Sequence, residues 1–125
     1  MSELYEKSLL KLELDQVLQL LKDCAGSEEG KEACLRLRPV SDLEEVQLLL
    51  DQTTAASDFC TRKGNPSFSG VIDVSASLER AERGGTLQPV ELLRIAGVLR
   101  CARNIKGYVA EDEKATVLDS LFGAL

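Results

Sequence analysis

The chain has 125 residues and a mass of 13.6 kDa, with 44% hydrophobic and 29% charged residues. This balance is typical of a folded globular chain of one domain and excludes wholesale disorder. The net charge is −6 and there is no histidine, which excludes Ser/His or Cys/His nucleophile pairs and histidine metal sites. The sequence has neither an apolar run of membrane-spanning length nor a signal peptide, so we expect a cytoplasmic chain with no membrane contact.

The charge is unevenly distributed along the sequence. Residues 1–61 carry 13 acidic and 6 basic side chains, whereas residues 62–110 carry 4 acidic and 8 basic ones. The basic middle block could face nucleic acid or an acidic partner, or it could be a solvated surface of mixed charge. The modest excess favours the solvated surface.

The four cysteines are far apart in the sequence and form no C-x-x-C motif. Each lies within or at the end of an apolar helical pattern, which predicts reduced, buried or half-buried thiols and no metal site. They are Cys24, Cys34, Cys60 and Cys101.

The pattern in the first third of the chain predicts a short N-terminal segment, the lead, followed by two helices. Residues 2–11 form the lead, and Asp15 is a candidate N-cap for a helix that ends near Cys24. Ser27 then caps a second helix, which Pro39 stops.

Residues 41–63 show the longest uninterrupted helical pattern. Ser41 and Glu44 have the spacing of a capping box, and Gly64 followed by Pro66 supplies a stop signal. The helix is apolar around more than half of its circumference, so it must be covered on two sides. We expect it to be the central helix of the domain, or to meet a second chain as well.

The two apolar sides of this helix differ in width. Leu48, Ala55 and Phe59 form the narrower one, a candidate second packing or dimer face. The wide apolar face contains Leu43, Val46, Leu49, Leu50, Thr53, Ala56 and Cys60.

Residues 64–74 are too rich in Gly, Pro and Ser for a helix and predict an ordered loop, with Phe68 and Ile72 as anchors into the core. Three more helical segments follow: from Asp73 or Ser75 to Arg83, from Pro89 to about 105–109, and over 112–122. The predicted fold is therefore all-α, an irregular bundle of five to six helices, and we expect residues 1–125 to form one domain.

No catalytic, cofactor-binding or metal-binding motif is present. The glycines of the loop at 64–70 are too far apart for a P-loop and no lysine follows the second, and Gly84-Gly85 follows a helix and predicts a C-cap. One series of basic residues is a candidate phosphate-contacting edge, although a solvated surface explains it as well. The series is Arg94, Arg100, Arg103 and Lys106.

Four stretches of the sequence, taken in order, resemble those of a known protein family. They are LELDQVLQLL, GKEACLRLRP, SDLEEVQLLLDQTTAASDF and GNPSFSGVIDVSASLERAERGGTLQPVELLRIAGVLRCARNIKGY. Together they resemble the N-terminal segment of the bacterial MutS family, in particular its second branch, which suppresses recombination and lacks the mismatch-reading domain. The most specific part is 64–106, where Gln88 stands in place of the serine that the family often has before Pro89.

The resemblance implies a function for the segment. It would be a non-catalytic part of the helical core and lever that connects a DNA-embracing clamp to a dimeric ATPase. The whole protein would bind ATP and Mg²⁺, carry an endonuclease domain, suppress homologous recombination and act on stalled ribosomes. None of those motifs lies within residues 1–125, so we expect no enzymatic activity from this chain and expect it to be the N-terminal part of a longer, homodimeric protein.

Two other readings of the sequence remain. A stand-alone helical interaction or dimerisation module would use the second apolar side of the central helix, and Phe59→Asp would then split the dimer. An independent small enzyme would need a general base, for which only surface carboxylates are available.

Overall fold

The computed structural model describes residues 3–110 and 116–125. This part of the chain is helical without any strand, which confirms the predicted all-α fold. The part of the predicted helix 112–122 that falls on 112–115 lies outside the described residues. The helices are α1 (Glu3–Lys11), α2 (Leu14–Cys24), α3 (Glu28–Arg36), α4 (Leu43–Lys63), α5 (Ser75–Glu82), α6 (Pro89–Ala110) and α7 (Asp119–Phe122).

The chain divides into two compact units. Unit 1 is Met1–Arg38 and contains α1 to α3, and unit 2 is Pro39–Leu125 and contains α4 to α7. Within the described residues, none of these helices is both long and apolar enough to cross a membrane. The prediction that residues 1–125 form one domain stays a prediction.

Unit 1 contains a sharp break between its first two helices. Glu13 has a φ of 56° and lies at the N-terminus of α2, and its carboxylate accepts a hydrogen bond of 3.2 Å from the Gln16 side chain. The predicted N-cap at Asp15 is therefore wrong, because α2 already begins at Leu14. Leu18 is the buried side chain of this helix.

The N-cap of α3 explains why Gly30 occurs inside this helix. Ser27 is the N-cap, as predicted, and its hydroxyl accepts a 3.1 Å hydrogen bond from the Gly30 backbone N–H. A Cβ atom at Gly30 would lie 3.0 Å from that same hydroxyl oxygen. The glycine therefore makes room for the cap.

Helix α4 begins one residue later than the capping box predicts. Asp42, and not Ser41, is the N-cap, and its carboxylate accepts a 2.9 Å hydrogen bond from the Glu45 N–H. The helix ends at Lys63, where Gly64 has a φ of 77° and terminates it as predicted.

The core of unit 2 is small. Among the described residues, its buried side chains are Phe59 of α4, Cys101 and Ile105 of α6, and Leu118 just before α7. An Asx turn leads into α5, where the Asp73 carboxylate accepts a 2.9 Å hydrogen bond from the Ser75 N–H. The Ser75 hydroxyl, and to a smaller extent this N–H, lowers the pKa of Asp73.

The loop at 64–74 is ordered by different residues from those predicted. Phe68 and Ile72 remain 44% and 39% exposed, so the prediction that they anchor the loop in the core is wrong. Pro66, Val71 and Val74 are its half-buried side chains.

Candidate functional site

The ends of the two long helices of unit 2 are joined by one lysine. Lys63, the last residue of α4, donates a 2.8 Å hydrogen bond from Nζ to the backbone oxygen of Tyr108. Its ammonium group also lies 5.6 Å from the Tyr108 ring centroid and 5.9 Å from that of Phe59. The last turn of α6 has no basic residue of its own, so Lys63 supplies the positive charge that a helix C-terminus favours.

Aromatic packing reinforces this contact. The rings of Phe59 and Tyr108 lie 6.1 Å apart between centroids, and Phe122 of α7 meets Phe59 edge-on at 6.4 Å. Partial burial raises the pKa of the Tyr108 hydroxyl, with a smaller contribution from the nearby Cys60. The neutral phenol is thus favoured in its role as a hydrogen-bond donor. We name Phe59, Lys63, Tyr108 and Phe122 the α4–α6 joint.

The loop backbone of residues 64–70, which we name the strap, continues the contact along α6. The Tyr108 hydroxyl donates a 2.8 Å hydrogen bond to the Gly64 carbonyl, and the Cys101 thiol donates to the Ser67 carbonyl at 3.6 Å. At Gly70 the loop is so close to α6 that an added Cβ would lie 3.4 Å from the Gly97 carbonyl oxygen. The loop therefore runs antiparallel to α6, and Gly97 inside α6 lies opposite Gly70 of the loop.

Glu91 connects α5 to the start of α6. One carboxylate oxygen accepts hydrogen bonds from the Ser77 hydroxyl, at 2.9 Å, and from the Arg80 guanidinium. The other accepts a 2.7 Å hydrogen bond from the Gln88 backbone N–H, which is half of a capping box. These bonds lower the pKa of Glu91, with the Gln88 N–H as the largest cause.

The four basic candidates on α6 are all exposed, but the structure does not bring them together on one face. At about 100° per residue, Arg94 lies roughly 120° or more around the helix from each of the other three. Arg100, Arg103 and Lys106 share the side that faces away from the buried Cys101 and Ile105. Whether any of them contacts nucleic acid stays a prediction.

The side of α6 that carries Arg100, Arg103 and Lys106 also carries exposed leucines, nearer to the N-terminus of the helix. Leu93 and Leu99 are 73% and 65% exposed, and Leu92 is also more than half exposed. We define the outer face of α6 as Leu92, Leu93, Ala96, Leu99, Arg100, Arg103 and Lys106. Its first half is apolar and its second half is basic.

The structure places the narrow apolar side of α4 inward. Phe59 is buried in the joint, Ala55 is half-buried, and Leu48 is 49% exposed. The wide apolar face is the one that is open, with Leu43 78% and Leu50 58% exposed. Of residues 41–50, only Val46 is half-buried and all others are exposed. The first half of α4 is therefore an exposed helix with apolar side chains on several sides.

The described residues include a cleft in unit 1 and an open groove of about 550 Å³ in unit 2, which is lined by Asp51, Thr54, Ala55, Asp58, Thr116 and Val117. The cleft of about 190 Å³ in unit 1 is lined by Leu9, Leu14, Leu18 and Leu35, together with charged and polar side chains such as Glu6 and Arg38. That volume is below the range of about 300–1,000 Å³ that is usual for ligand pockets. No group of three or more His, Cys, Asp or Glu side chains that could hold a metal occurs in the described part of the chain.

Comparison with curated proteins gives consistent matches. The chain is 40% identical over 123 residues to endonuclease MutS2 of Ruminiclostridium cellulolyticum, which covers 96% of this chain and 16% of that protein. It is 38% identical to endonuclease MutS2 of Acetivibrio thermocellus, with 96% and 15% covered, and 39% identical to that of Clostridium novyi, with 93% and 15% covered. The chain is homologous to a segment of the MutS2 proteins. The resemblance found in the sequence is thereby confirmed.

The chain spans about one sixth of the length of the relatives named here. No family model matches it, and no solved structure matches it either. Sequence reasoning found the family but missed the α4–α6 joint, because Lys63 and Tyr108 are 45 residues apart and neither belongs to a local motif.

Proposed function

We propose that this chain is a non-catalytic helical lever within a MutS2-like, DNA-binding ATPase and endonuclease. Two things support the proposal: the similarity to proteins named endonuclease MutS2, and the way in which the α4–α6 joint and the strap hold two long helices together. At about 1.5 Å per residue, the 21 residues of α4 and the 22 of α6 span roughly 32 and 33 Å. The joint is the observation that carries the proposal.

The proposed mechanism is mechanical. A nucleotide-dependent movement in an ATPase domain elsewhere in the protein would shift one long helix, and the joint would make the other follow. This coupling would open or close a clamp on DNA. ATP and Mg²⁺ would bind in the ATPase domain, and the strand cleavage would take place in a nuclease domain, so that no residue of this chain would be catalytic.

The finer biological role follows from the same resemblance. We propose that the whole protein is cytoplasmic and homodimeric, that it suppresses homologous recombination, and that it acts on stalled ribosomes by binding their RNA. Its position as the N-terminal part of a longer protein belongs to the same proposal. The proposal assigns to this chain the transmission of movement and not the recognition of nucleic acid.

The test loosens the joint in the full-length protein that carries this segment. Tyr108→Phe removes the hydrogen bond to Gly64 while it keeps the ring, and Lys63→Met removes the bond to the Tyr108 carbonyl while it keeps much of the apolar stem. Because coupling depends on the joint, we expect the double variant to lose most of the DNA stimulation of ATP hydrolysis and to keep the basal rate. Leu50 is unsuitable for this purpose, because it lies on the wide apolar face of α4 and is 58% exposed.

A matched control carries the same two chemical changes in unit 1, Tyr5→Phe with Lys7→Met. It should retain full stimulation. A folded joint variant in which DNA still stimulates ATP hydrolysis as strongly as in the unaltered protein would contradict the lever proposal.

A second candidate function is a helical dimerisation module. The exposed apolar residues on the first half of α4 favour it, since a free helix of this kind is stabilised by covering its leucines. The dimer face predicted from the sequence, which includes Phe59, does not suit a dimerisation module. Phe59 is buried inside unit 2, so Phe59→Asp would disrupt the core.

A further inference from the structure

The outer face of α6 contains a stripe of residues with the spacing that helices use to pack along one another. The residues recur at alternating intervals of four and three, and at about 100° per residue they fall within roughly 80° of the helix circumference. All of them are exposed, and the buried Cys101 lies about 180° around the helix from the first. We name this stripe the seam. It consists of Leu92, Ala96, Leu99, Arg103 and Lys106.

Helix α6 is apolar on two sides. Its inner side, which includes Cys101 and Ile105, is buried within unit 2. The seam lies on the other side, where Leu92 and Leu99 are 54% and 65% exposed. A helix that is apolar on both sides is typical of one that is covered on both. The seam is therefore a surface on which a second helix would remove apolar side chains from water.

The seam changes from apolar to basic half-way along the helix. Arg103 and Lys106 occupy its last two positions, where a coiled-coil partner usually meets apolar side chains. In the part of the chain that the structure describes, neither cation forms an ion pair with an acidic side chain. A charge at a seam position selects a partner that places the opposite charge against it. The seam therefore specifies an apolar half and an acidic half in the helix that covers it.

We propose that the seam docks a helix from the remainder of the full-length protein, and that this helix has an acidic N-terminal half and a leucine-rich C-terminal half. It lies antiparallel to α6, so that its leucines contact Leu92 and Leu99 and its carboxylates contact Arg103 and Lys106. Acidic side chains are favoured in the first turns of a helix, and the antiparallel direction also brings opposite ends of the two helix dipoles together. A crossing angle of about 20° keeps two stripes of this spacing in contact along their length.

The length of the relatives indicates where this helix comes from. They are about six times as long as the segment that matches this chain. A helix in the same polypeptide has a high effective concentration at the seam, so a contact of modest area is sufficient to hold it. The inference rests on the proposed function only in that a longer protein carries this segment, and not on the transmission of movement.

A protein helix explains the seam better than nucleic acid does. Phosphate contacts account for Arg103 and Lys106, but they give no role to the exposed leucines on the same stripe. A helix that carries both carboxylates and leucines matches the two halves of the seam.

The first test measures by fluorescence anisotropy how a labelled synthetic peptide binds to the 125-residue chain. The peptide has about 21 residues, with glutamate at the 3–4 positions of its N-terminal half and leucine at those of its C-terminal half. A second peptide has the two halves exchanged and therefore the same composition and net charge. We expect the first peptide to bind with a dissociation constant at least tenfold lower than that of the second, because only the first is acidic at the end that the antiparallel arrangement brings to Arg103 and Lys106.

Two arginines of α6 provide a matched pair of variants. Arg103→Glu should weaken binding of the first peptide at least tenfold, whereas Arg94→Glu should leave it unchanged, because Arg94 lies about 180° around the helix from Arg103. Both positions are exposed, so circular dichroism should show unchanged folding. For the apolar half, Leu99→Gln should weaken binding, and Leu78→Gln of α5, which is 51% exposed, is the control.

The second test identifies the source of the helix in the full-length protein. Its own helix occupies the seam, so the full-length protein should bind the peptide at least tenfold more weakly than the 125-residue chain does. A carbodiimide, which joins amines to carboxylates in contact, should cross-link Lys106 to an acidic residue outside this segment. Mass spectrometry of the digested protein locates the cross-link, and Arg103→Glu should remove it.

Several results would overturn the inference. The 125-residue chain at about 100 µM could fail to bind the first peptide, or it could bind both peptides equally. A full-length protein that binds the peptide as tightly as the chain does would exclude an occupant from the same polypeptide. A chain that ignores the peptides and binds a DNA duplex through Arg103 and Lys106 would assign the seam to nucleic acid. None of these outcomes decides the lever proposal, which is tested by the DNA stimulation of ATP hydrolysis.

Discussion

Gln88 shows how one residue can hold half of a helix cap. Its backbone N–H donates to the Glu91 carboxylate, which satisfies one side of a capping box, but a glutamine side chain is a poor acceptor for the N–H groups of the first turn. We expect Gln88→Ser to complete the box and to raise the free energy of unfolding by about 0.5–1 kcal/mol. Urea denaturation measures the change. Gln88→Ala is the control, and a serine variant no more stable than the alanine variant would contradict the interpretation.

At the scale of elements, the strap on α6 depends on two glycines that differ in their tolerance. Gly70 has a φ of 93°, and an added Cβ would lie 3.4 Å from the Gly97 carbonyl oxygen. A Cβ at Gly97 would lie 3.8 Å from the Gly70 oxygen, which is an ordinary contact. We therefore expect Gly70→Ala to lower the free energy of unfolding by about 1–2 kcal/mol, because a residue with a Cβ is strained at this left-handed φ.

Gly97→Ala provides the matched comparison on the opposite side of the same crossing. Alanine removes a helix-interior glycine, so this variant should be as stable as the unaltered chain or up to about 1 kcal/mol more stable. Urea denaturation of both variants decides the point. If the two glycines respond alike, the left-handed φ of Gly70 does not control the stability of the strap.

The elements also show what the sequence could and could not predict. Caps and breakers such as Ser27, Gly64 and Pro89 predicted helix limits to within a few residues, because their effects are local. The inward side of α4 could not be read, since a helix with apolar residues on two sides gives the same pattern whichever side is packed. Phe68 was assigned to the core on hydrophobicity alone, whereas the backbone contacts of its loop keep it partly exposed.

For the whole molecule, the carboxylates that accept hydrogen bonds predict sensitivity to acid. The pKa values of Glu28 and Glu91 lie below the usual 4.5 and that of Asp73 lies below 3.8, because the ionised forms accept hydrogen bonds. A group whose pKa is lower in the folded state contributes stability above its unfolded pKa and loses it as the pH falls. The molecule should therefore be most stable above about pH 5 and lose stability progressively below about pH 4.5.

Glu91 should account for a distinct part of this acid sensitivity, because its carboxylate connects Ser77 and Arg80 of α5 with the start of α6. We expect Glu91→Gln to lower the melting temperature at pH 7. The difference from the unaltered chain should shrink as the pH falls below 4.5 towards the lower pKa of the folded state, since protonation removes the same charge from Glu91 itself. Thermal denaturation followed by circular dichroism from pH 7 to pH 3 measures both curves, with the exposed Glu82→Gln of α5 as control. Parallel curves over this range would show that the connection between α5 and α6 does not depend on the charge of Glu91.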